Sequence, residues 1–166
     1  MVPIGSLVVY GQNGVCRLLE ICVSPFDKQD TRPFYVFKPE LASDHSTIFV
    51  PVEMAEGRLR RLMSEKEAQE LLTQMDRIPP VTVTVEKTRK DVYRQTMARA
   101  LPEGYVGILK AVAHRRAEAL RVKRQLASSD AEYEQKARSY LALELSEVLK
   151  VPFQEMMLHL TERLGA

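Results

Sequence analysis

The sequence predicts an α+β chain: a small antiparallel β module followed by an all-α helical bundle. Three observations lead there. Short β-prone runs separated by tight turns fill the first 55 or so residues. From Ser64 onward apolar residues recur at helical spacing instead. The composition, 45% hydrophobic and 28% charged over 166 residues, is that of an ordinary globular protein and excludes collagenous and low-complexity classes.

Leu7-Val8-Val9-Tyr10 reads as a first strand, and Gly11-Gln12-Asn13-Gly14 as a turn whose glycines accept positive φ. Val15 to Val23 carries apolar residues on both faces, so burial over most of its surface is expected. Ser24 to Pro33 is polar and holds two prolines, which makes it a loop. Phe34-Tyr35-Val36-Phe37 and Thr47 to Val52 are the next strands, the latter closed by Pro51. Four or five short strands in so few residues suit a small barrel or curled sheet.

Ser64-x-x-Glu67 is a capping box, followed by Leu71, Leu72 and Met75 at helical spacing. Ile78-Pro79-Pro80 stops that helix. Val81 to Val85 alternates strictly, as an extended linker or an added strand would. The expected organisation is therefore 1–60 as the β module, 61–85 as helix and linker, and 86–166 as the helical domain. Thr88 can cap a first helix there, and Pro102-Glu103-Gly104 separates it from a second reaching about Gln125. Ser129-x-x-Glu132 reads as a second capping box, opening a helix to about Leu149, and Pro152 sits at a tolerated first-turn position of the last.

Charge is unevenly placed. Residues 1–85 hold 9 Lys+Arg and 11 Asp+Glu, residues 86–124 hold 11 and 4, and residues 125–166 hold 4 and 7. A basic block inside a near-neutral chain points to an anionic partner. On a helical wheel Lys110, His114, Arg121 and Arg124 fall within roughly 80° of one another, flanked by Arg115 and Arg116. Arg116 and Lys123 face the apolar side, so they must snorkel or lie beyond the core. On the preceding helix Lys87, Lys90 and Arg94 share a face, with Tyr93, Met97 and Leu101 on the packing side. Arg outnumbers Lys in the block, which favours planar recognition of phosphates or a minor groove. No Asn or Gln is presented to base edges, so binding independent of sequence is expected.

No catalytic constellation is found. His45, His114 and His159 lie far apart in sequence. Cys16 and Cys22, six apart on one strand, would share a face about 20 Å apart, too far for a common metal, and read as small buried hydrophobes. Asp44-His45-Ser46 is a polar turn, and Gly11-x-x-Gly14 is too short for a phosphate loop. No cofactor and no small-molecule substrate is implied. No apolar run approaches the roughly 20 residues needed to span a bilayer, Met1 to Ser6 lacks signal-peptide character, and two cysteines make no disulfide framework, so a cytoplasmic protein is expected.

Ile4-Gly5-Ser6-Leu7-Val8-Val9-Tyr10 with Gly14-Val15 resembles the opening of CarD-like (CdnL) bacterial transcription regulators, whose β module also occurs in transcription-repair coupling factors. Val50-Pro51-Val52-Glu53 resembles the end of that module, and Ala142-Leu143-Glu144-Leu145 a "GELA"-like segment of the helical domain. The resemblance implies a Tudor-like β module that binds the RNA polymerase β subunit, and a helical domain that reaches promoter DNA and stabilises the open complex. Strand-edge pairing then brings Val8, Tyr10, Phe49, Val50 and Pro51 to the polymerase. The basic block supplies Lys87, Arg89, Lys90, Arg94, Lys110, His114, Arg115, Arg121 and Arg124 to the DNA.

The chain departs from the family in having no Trp, the residue that wedges into the minor groove in many relatives. The neighbourhood reads Glu86-Lys87-Thr88-Arg89-Lys90-Asp91; Arg89 would enter the groove as a cation, and Tyr93 reads as core. Phe49 stands where some relatives carry an arginine implicated in polymerase contact. Other readings are a polymerase-docking adaptor without DNA binding, an RNA-binding barrel stacking bases on Phe34, Tyr35, Phe37 and Phe49, and, last, an enzyme.

Overall fold

A computed structural model describes residues 1–165. The chain divides into two compact units, Met1–Leu62 and the residues from Met63 onward.

The first unit is a five-stranded antiparallel sheet of β1 (Leu7–Tyr10), β2 (Val15–Val23), β3 (Pro33–Pro39), β4 (Ile48–Pro51) and β5 (Leu59–Arg60), in the order β4-β3-β2-β1-β5. A one-turn helix α1 (Val52–Ala55) follows β4. The turn after β1 works as its glycines suggest, with Gly11 at φ 46° and Gly14 at φ 67°. Val8, Tyr10, Cys16, Leu18, Tyr35, Phe37 and Val50 alternate along their strands onto one face and form the core with Val52 and Ala55. Full burial of a side chain such as Phe37 contributes roughly 1.5–3 kcal/mol.

Strand β2 differs from expectation in two ways. It is well buried only over Val15–Leu18, and Leu19, Glu20 and Val23 are exposed. A bulge shifts its register between Leu18 and Glu20. Beyond it Ile21, opposite Tyr35, returns to the face of Cys16 and Leu18, and Cys22, opposite Phe34, lies on the other. The two cysteines therefore do not share a face.

The second unit contains α2 (Glu65–Gln74), α3 (Arg89–Arg99), α4 (Pro102–Arg121), α5 (Ser128–Leu149) and α6 (Phe153–Leu164). Helix α5 is central and packs against the other four. The Ser64–Glu67 capping box forms in full: the Glu67 N–H donates to Ser64 Oγ (3.1 Å) and the Ser64 N–H to Glu67 Oε2 (2.8 Å). Fully buried Tyr93, Tyr105, Ile108, Leu109, Leu141, Leu145 and Leu160 make the core.

Several boundaries move. The segment expected as a linker up to Val85 belongs to the helical unit from Met63 onward. Residues 78–85 form no strand; they lie along α4, where the Val81 N–H donates to Gly107 O (3.0 Å). A Cβ at Gly107 would stand 2.9 Å from Val81 Cγ2 and 3.3 Å from Pro79 O, so only glycine allows this approach. One turn on, Lys110 Nζ donates to Met75 O (2.7 Å) and Ile78 O (2.6 Å). Thr88 occupies the α3 N-cap, but its hydroxyl donates backwards to Val85 O (2.7 Å) and does not cap. The Ser129–Glu132 box does not form: α5 begins at Ser128 with Ala127 as N-cap, placing Ser129 inside the helix. Pro152 is the N-cap of α6 and stands just outside the helix. Helix α4 stops at Arg121 in a Schellman turn, with Lys123 left-handed (φ 56°) donating to Leu120 O and Arg124 to Ala119 O.

Candidate protein and nucleic-acid interaction surfaces

Edge strand β4 is the obvious interactive feature of the β unit. It ends the sheet, and no other strand of the described residues pairs with its outer side. The side chain of Phe49 is half-buried, and its ring meets that of Phe26 edge-to-face, with centroids 5.4 Å apart at 81°. Phe26 is 79% exposed. Sequence reading placed it in a polar loop and missed it; an aromatic isolated among loop residues was the available signal. Pro51 ends β4, half-buried. Val8, Tyr10 and Val50 are core residues whose side chains face inward, so they cannot present side-chain contacts to a partner. Of these three, only Val50 lies on a strand with a free edge.

In the helical unit the expected cationic stripe is broken up. Arg89 is only 13% exposed: its Nε donates to Asp130 Oδ1 (2.8 Å) and its Nη1 to Glu86. Arg115 donates through Nε to Asp130 Oδ2 (3.1 Å) and pairs through Nη2 with Glu86 (2.7 Å). Asp130, 1% exposed, is thus held by one arginine from α3 and one from α4. Four residues further along α5, buried Glu134 receives Arg116 Nη2 (3.1 Å) and Arg138 Nη2 (3.0 Å). Arg116 does project towards the apolar side, where a buried carboxylate meets it. Lys110 is turned onto backbone carbonyls, as described above. These arginines and Lys110 serve the fold, and Arg89 in particular is not positioned as a groove-entering cation.

The Arg115 hydrogen bond holds the Glu86 carboxyl below its ordinary pKa, and the nearby charges of Arg115 and Arg89 act in the same direction. Tyr93 is core, 1% exposed, and burial followed by the charge of Asp130 raises its phenol pKa. Its hydroxyl has no hydrogen-bond partner among the described residues. Glu144, within the "GELA"-like segment, is 1% exposed and accepts the Met63 N–H (2.8 Å), tying the start of the helical unit to α5.

The remaining cations lie outside these clusters. Lys87, just before α3, and Lys90 and Arg94 at its start are exposed, and among the described residues Arg94 pairs only with Asp91 (2.8 Å). Arg121 pairs with Glu118 on the exposed surface of α4, and that hydrogen bond lowers the Glu118 pKa. Arg124 has left the helix, so the wheel that aligned it with Lys110 does not describe its direction. His114 and Arg124 instead line an open groove of about 530 Å³ beside the α4–α5 turn. No group of three or more His, Cys, Asp or Glu able to hold a metal occurs among the described residues. No helix among them is long and apolar enough to cross a membrane.

The β unit thus ends its sheet in a β4 edge with the Phe26–Phe49 aromatic pair beside it. Residues 3–63 match the family model of the CarD-like/TRCF RID domain, so this module belongs to that RNA polymerase-interacting domain family. The chain is accordingly an RNA polymerase-interacting, transcription-related protein. A search of curated proteins found no match.

Proposed function

We propose that the chain is a non-enzymatic transcription regulator that docks on the RNA polymerase β subunit and stabilises the open complex by contacting promoter DNA. The RID match over residues 3–63 carries the polymerase half of this reading. Edge strand β4 supplies main-chain pairing, and Phe26, Phe49 and Pro51 supply the apolar contact. The DNA half rests on the cations that the fold leaves outward. Lys87, Lys90 and Arg94, exposed at the start of α3, would meet phosphates without reading sequence. If those three each neutralise one phosphate, log K falls with log salt at a slope of about −2.7. Such weak binding becomes effective once the polymerase holds the protein beside the promoter.

The decisive measurement is open-complex lifetime on one promoter, with polymerase from the source organism. The protein should lengthen it. Charge reversal at Lys87 and Lys90 should remove the effect and leave polymerase binding intact, whereas alanine at Phe26 and Phe49 should remove both. Intact lifetimes after charge reversal would sink the DNA half and favour a polymerase-docking adaptor.

A further inference from the structure

The groove beside the α4–α5 turn is poorly suited to nucleic acid. Its lining brings apolar Ala119, Val122 and Leu126 together with His114, Arg124 and Gln125. Two acids also line it, and both are neutralised: Glu118 by Arg121, and Asp130 by Arg89 and Arg115. Arg124 has no ion-pair partner among the described residues, and neither does adjacent Lys123. The groove therefore combines an apolar hollow with surplus positive charge. At about 530 Å³ it falls within the roughly 300–1,000 Å³ typical of concave binding sites. Val122 in its lining remains 44% exposed, and nearby Leu120 is 77% exposed.

From this we infer that the groove docks an acidic protein segment carrying an apolar anchor side chain. The anchor would cover Val122 and Leu126, and its flanking carboxylates would meet Arg124 and His114. A duplex backbone offers phosphates to the arginine but no apolar side chain to cover Val122 and Leu126, which is why a peptide fits better. This inference stands apart from the promoter reading, which rests on Lys87, Lys90 and Arg94. It reassigns His114 and Arg124 from DNA to protein.

The test is selection of peptides from a random display library on the full chain, with affinities then measured by fluorescence anisotropy. The selected peptides should combine Asp or Glu with Leu, Ile, Phe or Met. Val122→Asp and Arg124→Glu should each weaken their binding by about tenfold or more, the size of an anchor loss. Arg124→Gln, which removes charge without reversing it, should give a smaller loss in the same direction. Both positions are exposed, and circular dichroism should show each variant to be folded. Peptides without acidic residues, peptides insensitive to the variants, or displacement of the peptide by a short DNA duplex would each overturn the assignment.

Discussion

The two units bury ionisable groups in opposite ways. In the β unit Cys16 lies within an apolar core, and burial, followed by the charge of Glu40, pushes its thiol pKa up to about 12. It stays neutral, and its S–H donates to Gly14 O (3.5 Å). In the helical unit Asp130 and Glu134 are buried on one helix, and each is gripped by two arginines. A weakly acidic group can be buried by remaining protonated, whereas a carboxylate beside guanidinium groups is buried as part of a charged cluster. The consequence is functional. Much of the basic block is already used within the fold, so its charge is a poor count of the cations available to an outside anion.

The largest test of that contrast is Asp130→Leu. Removing the carboxylate leaves Arg89 and Arg115 facing a buried apolar side chain, a class of change that costs about 3–5 kcal/mol. The triple variant Asp130→Leu with Arg89→Met and Arg115→Met should recover much of the loss, because replacing a whole buried cluster is often neutral. Hydrogen exchange should show the loss in α3, α4 and α5, with the β unit unaffected. Equal loss in single and triple variants would mean that the charges themselves hold the helices together.

Alkaline pH probes the other side. Folding raises the Cys16 pKa, so its contribution is fully present below pH about 9 and is lost as pH rises through about 12. Between those values the unfolded chain releases a proton that the folded chain keeps, at a cost of about 1.4 kcal/mol per pH unit. Exchange protection in β2 and β3 should fall over this range in the wild type and much less in Cys16→Ala. At the same pH half-buried Cys22 should react with a thiol reagent well before Cys16.

Gly107→Ala should come next, at about 1–3 kcal/mol of overpacking, because the added methyl meets Val81 and the Pro79 carbonyl. Exchange should rise at Val81, whose N–H donates to Gly107 O. A neutral effect would show that residues 78–85 are only loosely held on α4.

What could be read from the sequence followed the range of the interaction. The strands, the Gly11–Gly14 turn and the Ser64–Glu67 capping box depend on neighbouring residues, and all were legible. The bulge between Leu18 and Glu20 was not: strict alternation over Val15–Val23 put both cysteines on one face, and a single extra residue separates them. The internal role of Arg89 was also hidden, because its buried partner Asp130 lies 41 residues away. Ser129–Glu132 shows the reverse failure. The motif is present, but the helix starts two residues too early for it to cap. Arg124 was assigned by extending a helical period past Arg121, where the backbone no longer follows it.

The smallest test returns to the two units through their turns. The positive-φ residues of the β unit are Gly5, Gly11 and Gly14, whereas α3, α4 and α5 end on Ala100, Lys123 and Lys150 in left-handed conformations. Gly14, at φ 67° and ψ −146°, occupies a region essentially reserved for glycine, so Gly14→Ala should cost about 1–3 kcal/mol. Lys150, at φ 58° and ψ 41°, is in ordinary left-handed helical space at a strain of about 1–2 kcal/mol. Lys150→Gly relieves that strain but frees the unfolded chain by about 0.4–1 kcal/mol. A net gain of about 0.5 kcal/mol is expected, visible as a slightly higher Tm of the helical unit. A loss would mean that the Lys150 charge at the α5 C-terminus, where a cation opposes the helix dipole, outweighs its backbone strain.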